Sequence, residues 1–300
     1  MSSFLIDGKT FAENLVSNVG NAVESLIKNH NFKPGLAVVL VGDNPASEVY
    51  VRNKVKQTEK AGMVSIEHRL PDTTSESALI ALVNNLNNDE DIDGILVQLP
   101  LPNHIDEKSI INAISPSKDV DGFSIPNVGL LSTSGDGLIP CTPLGCLLLL
   151  KDYLGDLTGK TAVIVGRSNI VGKPMAAILC QKAKHANATI TLCHSRTANL
   201  ADHCRRADIL IAAIGVAEFV KADMVKSGAT VIDVGVNRIA DPKAKNGTRL
   251  VGDVDFAAVQ PVAGLITPNP GGVGPMTIAL LMRNTARAAA RATGVELESI

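Results

Sequence analysis

The stretch Ala162-Val163-Ile164-Val165-Gly166-Arg167-Ser168-Asn169-Ile170-Val171-Gly172-Lys173-Pro174 decides how the rest of the chain is read. Its first four residues, apolar and rich in β-branched side chains, predict a buried strand, and a helical pattern runs from the glycine turn through Gln181. Strand, tight glycine turn and helix start make the arrangement in which backbone N–H groups and the helix dipole cradle a pyrophosphate. Ser168 stands where the G-x-G-x-x-G pattern has its middle glycine, so the pattern alone matches weakly. Its place after an apolar strand at a domain start is what gives it weight.

Similar runs recur on both sides: Leu36–Val41, Val64–Leu70, Gly94–Leu99, Thr189–Cys193, Ile209–Ala213 and Thr230–Val234, alternating with helical-period segments. That alternation predicts βα units and mainly parallel sheets, an α/β fold. The turn-rich stretch from Ile114 to Thr142 marks a domain junction. Two domains follow: a βα domain of residues 1–141 joined by 276–300, and a Rossmann-type dinucleotide-binding domain of residues 142–275. Thr142–Leu154 reads as a connecting helix, and Met276–Arg291 as a final helix that returns to the first domain or bridges both.

Three hundred residues are enough for two such cores without disulfide or metal staples. Twenty-eight Lys and Arg against thirty Asp and Glu, scattered along the chain, leave no basic arm for nucleic acid or membrane. With six Phe, two Tyr and no Trp, base-stacking platforms are scarce. Strictly apolar runs such as Cys146–Leu150 are far too short to span a bilayer. Met1–Lys9 carries Asp7 where a signal peptide has an apolar stretch, so a cytoplasmic protein is expected. Five cysteines without a CxxC pair, and six histidines without ligand spacing, predict a reducing compartment and no metal.

At the end of the strand Thr189–Cys193 an NAD enzyme usually places Asp or Glu on the ribose 2′-hydroxyl. This chain has His194-Ser195-Arg196-Thr197 instead, and Arg196, Ser195 and Arg167 suit a 2′-phosphate, which favours NADP. An arginine merely solvated in a loop is the alternative reading.

Asn44-Pro45 has the cap chemistry that opens a helix, predicted over Pro45–Ala61. Arg52, Lys56 and Lys60 fall within roughly 80° of one another on it, whereas Lys54 points roughly 200° from Arg52 and shares its face with Tyr50. Lys54 therefore borders the apolar sector of Val51 and Val55. A desolvated acid–base lysine and one whose ammonium reaches back to solvent both fit that geometry. Gln98 ends the strand Gly94–Leu99, where ligands bind in open α/β sheets, and Pro100 stops the ladder. Lys118-Asp119-Val120-Asp121-Gly122 puts two carboxylates on one side if extended, one for structure and one for substrate. Pro268 to Thr277 precedes the final helix with three glycines that allow close approach of a flat ligand, and with Pro275 suited to the first helical position.

Taken together, Tyr50-Val51-Arg52-Asn53-Lys54, Gln98-Leu99-Pro100-Leu101-Pro102, Lys118 to Gly122, Gly166 to Pro174, Asp233-Val234-Gly235-Val236-Asn237 and Pro270 to Thr277 closely resemble the bifunctional methylenetetrahydrofolate dehydrogenase/cyclohydrolase family. The likeness runs from about Ile6 to Arg291. It implies NADP-dependent oxidation of 5,10-methylenetetrahydrofolate to the methenyl cation, then its hydrolysis to 10-formyltetrahydrofolate, in a cleft between the domains. By the same resemblance Lys54 is the catalytic lysine, tuned by Gln98. Tyr50 stacks near the pterin, Asp121 accepts from its amino group and ring nitrogen, and Gly271, Gly272 and Pro275 shape the folate wall. Gly166, Arg167, Ser168, Ile170, Val171, Gly172, Ser195, Arg196, Ile214 and Gly215 hold the cofactor, and a homodimer is implied. One departure stands out: Val216-Ala217-Glu218 lacks the proline common beside this position, so a looser loop is expected on the nicotinamide side. A different two-domain NADP dehydrogenase leaves the QLPLP segment and the Tyr50/Lys54 pair unexplained. A nucleotide sensor without chemistry leaves Lys54, Gln98 and Asp121 unexplained.

Overall fold

The computed structural model describes residues 4–244, 247–295 and 297. Its elements begin with β1 (Phe4–Leu5), α1 (Gly8–His30), β2 (Gly35–Val41), α2 (Pro45–Lys60), β3 (Val64–Leu70), α3 (Glu76–Asn88), β4 (Gly94–Val97), α4 (Glu107–Ala113), α5 (Ile125–Ser132) and α6 (Cys141–Leu154). They continue with β5 (Thr161–Val165), α7 (Gly172–Leu179), β6 (Thr189–Cys193), α8 (Leu200–Cys204), β7 (Ile209–Ala212), β8 (Thr230–Asp233), β9 (Asn237–Ala240), β10 (Thr248–Val251), α9 (Phe256–Val259), β11 (Leu265–Ile266) and α10 (Val273–Thr293).

The described residues fall into two compact units, 12–141 with 278–295, and 4–11 with 142–277. In the first, β3-β2-β4 form a parallel sheet with the earliest strand in the middle. All residues of β2 and β4 are buried, the continuous apolar runs that a sheet covered on both faces demands, while edge strand β3 is partly exposed. Helix starts are capped locally: Asn44 Oδ1 accepts from Ser47 N at 3.2 Å before α2, Ser75 from Ala78 N before α3, and Asp106 from Lys108 N and Ser109 N before α4.

The second unit holds a six-stranded sheet ordered β1-β11-β8-β7-β5-β6, parallel throughout, with an antiparallel hairpin β9-β10 beside it in sequence. Here too the first βα strand, β5, sits between its successors β6 and β7. In both sheets the chain therefore leaves the middle strand in one direction and later returns on its other side. The loops at the carboxyl ends diverge at that reversal, which is where α/β sheets bind ligands. The sequence assigned residues 4–11 to the first domain. They lie with the second unit instead, because Phe4 and Leu5 pair with Leu265 and Ile266. Helix α10 starts three residues before the expected Met276, so Pro275 is its third residue rather than its first. The missing N–H is harmless there too, since the first turn has no intrahelical acceptors. No helix among the described residues is long and apolar enough to cross a membrane.

Candidate active site

On α2 the residues facing inward are Ser47, Val51, Lys54 and Thr58, spaced by four, three and four, while Arg52, Lys56 and Lys60 are exposed. This stripe is unusually polar for a helix face against a sheet, and Lys54 is its only charge. Lys54 is 9% exposed, and its Nζ donates a 2.9 Å hydrogen bond to Oε1 of Gln98. The ammonium therefore does not reach back to solvent, the alternative that the helical wheel left open. Thr58 fixes the helix locally by donating to Lys54 O at 2.8 Å.

Gln98 lies one residue beyond β4, which ends at Val97 rather than Leu99. Its N–H still bonds Val39 O at 2.8 Å, and its side-chain amide donates to Leu99 O at 2.6 Å. With the amide group committed to Leu99, the carbonyl oxygen is turned to Lys54. Burial pushes the lysine's pKa down, opposed by the negative charge of Asp121 and, less, by Cys141. Burial likewise raises Asp121 to about 6, against the pull of Lys54. Burial thus shifts the two groups toward one another, the lysine downward and the carboxyl upward. Tyr50, one turn before Lys54 and 36% exposed, has its hydroxyl pKa raised by burial.

The Lys118–Gly122 segment is not extended: Gly122 N bonds Asp119 O at 3.0 Å in a turn. The turn separates the two carboxylates by role. Buried Asp119 accepts from Gly122 N (3.0 Å), Ser124 N (2.8 Å) and Asn127 Nδ2 (3.0 Å), whereas Asp121 accepts no hydrogen bond from the described residues. Asn284 of α10 donates to Val120 O and Ile139 O, both at 2.9 Å, and so ties this turn to the final helix.

In the second unit, Gly166 follows β5 with φ +139°, and a β-carbon on it would overlap Ala213 O in the loop after β7. Gly172 is as confined, against Gly166 O. Ser168 Oγ accepts from Val171 N (3.1 Å) and Gly172 N (3.3 Å), so the residue replacing the middle glycine holds the turn that leads into α7. Arg167 and Arg196 are exposed two and three residues past the paired strand ends Val165 and Cys193, and Ser195 is exposed beside them, as is Ile170 in the glycine loop. Gly271 (φ +110°) and Gly272 lie between β11 and α10 in this unit, and Pro275 in the first turn of α10. Gly272 is pressed against the Thr267-Pro268 segment, a packing reason for its lack of a side chain.

The loop expected to be loose is held from outside. Ile214 N and Gly215 N donate to Asp253 Oδ2 at 2.7 and 2.8 Å, Glu218 N to Gly252 O at 3.0 Å and Val220 N to Asp253 O at 2.9 Å. Ala217 therefore does not free the turn, because the anchoring is done by the segment after β10 and not by a local proline.

Residues 6–121 match the model of the tetrahydrofolate dehydrogenase/cyclohydrolase catalytic domain, and residues 140–293 that of the same family's NAD(P)-binding domain. The chain belongs to the tetrahydrofolate dehydrogenase/cyclohydrolase family. It is similar to the bifunctional protein FolD 1 of Roseobacter denitrificans, 59% identical over 99% of this chain and 98% of that one. The crystal structure of a bifunctional FolD methylenetetrahydrofolate dehydrogenase/cyclohydrolase from Campylobacter jejuni superposes with a TM-score of 0.90 at 45% identity, covering 97% and 100% of the two chains. The Trypanosoma brucei dehydrogenase-cyclohydrolase, solved with NADP and an inhibitor, gives 0.92 at 36% identity over 98% and 99%.

Sequence reasoning named Asp119 and Ser168 without seeing that the first knots its turn and the second holds the start of α7, and it missed Asp253 altogether. The first two are short-range and could have been found from Asp and Ser followed by turn residues at hydrogen-bond spacing. Asp253 reaches across 38 residues of sequence to Gly215, and no local pattern carries that information.

Proposed function

We propose that this enzyme oxidises 5,10-methylenetetrahydrofolate with NADP and hydrolyses the methenyl product to 10-formyltetrahydrofolate, with the hydrolytic chemistry on Lys54. The observation that carries it is the buried Lys54–Gln98 hydrogen bond beside an uncommitted Asp121. Membership of the family supports the two activities, and the polar stripe of α2 supports the role of the lysine.

A lysine whose pKa is lowered by burial exchanges a proton near neutral pH far more readily than one in water, which a general acid–base catalyst needs. Lys54 assists the water that attacks the methenyl carbon and takes up its proton at Nζ. Gln98 Oε1 accepts from either the ammonium or the amine, so it holds Nζ in place through the transfer. Asp121 presents two acceptor oxygens, a match for the pterin amino group and ring N–H, and Tyr50 stacks near the same pterin. Gly271, Gly272 and Pro275 shape the folate wall.

The residues fit a dinucleotide. A glycine cradle that a β-carbon would fill, and two exposed arginines at neighbouring strand ends with no carboxylate among them, suit a pyrophosphate and a 2′-phosphate. Gly166, Ser168, Ile170, Val171 and Gly172 hold the former, Arg167, Ser195 and Arg196 the latter, and Ile214 and Gly215 the nicotinamide end. NADP, when bound, supplies the hydride acceptor, and the protein's part is to align the two rings. A cytoplasmic homodimer completes the proposal, and sedimentation at twice 31.4 kDa checks its oligomeric part.

The test is an absorbance assay with methylenetetrahydrofolate and either dinucleotide, following the methenyl compound as it forms and decays. Formation with NADP followed by decay is expected, and formation without decay removes the second activity.

A further inference from the structure

The segment Gly252-Asp253-Val254 follows β10 and carries no pattern of a cofactor site. Asp253 is nonetheless fully buried, and its carboxylate gathers two loops. Oδ2 accepts the N–H groups of Ile214 at 2.7 Å and Gly215 at 2.8 Å, and Oδ1 accepts the Asn237 side-chain amide at 2.8 Å. Asp253 is held in turn by buried Asp233. Asp233 Oδ1 accepts Asp253 N at 2.9 Å and Gly235 N at 3.0 Å, and its Oδ2 accepts Val254 N at 3.1 Å. Glycine is required at two points for the carboxylates to enter. A β-carbon on Gly235 would overlap the Asp253 carboxylate, and one on Gly252 would overlap that of Asp233.

Two successive N–H groups aimed at one carboxylate oxygen form a charge-assisted, directional clamp. Losing the acceptor leaves two main-chain donors, at half-buried Ile214 and exposed Gly215, without their protein partner, so the turn is free to shift toward water. The loop concerned has no proline of its own, and these bonds are what fix its path.

We propose that Asp253 is a positioning residue for the dinucleotide: it sets the Ile214–Gly215 turn in the conformation that receives the nicotinamide end, and so governs cofactor affinity without touching the cofactor. The inference rests on the reading of Ile214 and Gly215 as cofactor residues.

The experiment compares Asp253→Ala, Asp253→Asn and Gly215→Ala with the parent enzyme. For each, the KM for NADP and kcat are measured in oxidation, and methenyl hydrolysis is measured with no dinucleotide present. A graded rise is expected, about thirtyfold in the KM for NADP for alanine and about threefold for asparagine, which keeps a neutral oxygen, while kcat changes less and hydrolysis stays near the parent rate. If the alanine variant does not fold, the asparagine variant alone decides by the same readout. An unchanged KM in the Asp253 variants with a raised KM in Gly215→Ala overturns the role of Asp253, as does equal loss of oxidation and hydrolysis. An unchanged KM in Gly215→Ala, whose φ of +73° strains an alanine, overturns instead the placement of the turn at the cofactor.

Discussion

Lys54 Nζ donates to Gln98 Oε1 at 2.9 Å, joining the inward face of α2 to the carboxyl end of β4. The bond confines an amine whose pKa burial has lowered, and in the proposed mechanism hydrolysis uses that amine whereas hydride transfer does not. Lys54→Ala should therefore reduce methenyl hydrolysis by about a thousandfold and oxidation by roughly tenfold or less. In the coupled absorbance assay the methenyl compound would then accumulate instead of decaying. Equal losses in both steps would remove the acid–base role.

Asp121 has a pKa raised by burial from 3.8 to about 6. Below that value the carboxyl is neutral and no longer offers two acceptors to a donor pair, so the KM for folate should climb as pH falls through about 6 while that for NADP stays level. Asp121→Asn should lack this rise. The stability effect has the opposite sense. With a raised folded value, the group's contribution is fully present below 3.8 and is lost as pH rises to about 6 and beyond. Asp121→Asn should accordingly melt higher than the parent at pH 7.5 while binding folate poorly. A lower melting temperature there would contradict the assignment of strain to this carboxylate.

The seven strands expected from β-branched runs are all present: β2, β4, β5, β7 and β8 are buried almost throughout, and a parallel strand covered on both faces must be apolar along its length, while the partly exposed β3 and β6 still carry β-branched residues. The four that escaped, Phe4–Leu5, Asn237–Ala240, Thr248–Val251 and Leu265–Ile266, are two to four residues long, too short to show a period. Lys54 was legible because a charge placed off the solvated stripe is visible on a helical wheel. Whether it was buried was not legible, since Gln98 lies 44 residues away. Nor could spacing separate Asp119 from Asp121: what distinguishes them is that Ser124 and Asn127 fold back onto the first.

Arg196 and Arg167 follow neighbouring, paired strands of one sheet, and the proposed reading assigns both to the same 2′-phosphate. A hydrogen bond to a charged group contributes about 1.5–3 kcal/mol, and Arg167 covers part of a loss. Arg196→Ala should lower kcat/KM for NADP by about ten- to a hundredfold and leave that for NAD within roughly twofold. Parallel falls with both dinucleotides would mean that this arginine does not read the extra phosphate.

Gly166 is where a single methyl group does most harm. The β-carbon would strike the main chain of Ala213, and backbone on both sides is fixed, since Gly166 N bonds Cys193 O at 2.9 Å and Ala213 N bonds Val165 O at 2.8 Å. Neither strand end can yield without breaking the ladder, so the loops after β5 and β7 would be forced apart. Gly166→Ala is expected to destabilise by about 2–4 kcal/mol, lowering the melting temperature by roughly 5–15 °C, and to weaken NADP binding with it. Gly129, on the exposed side of α5 with open space around it, is the matching control. There alanine only relieves a poor helix former, and a gain of about 0.5–1 kcal/mol is expected. Calorimetric melts of the two variants separate the explanations: similar shifts in both would mean that Gly166 is kept for chain flexibility and not for the close approach of two loops.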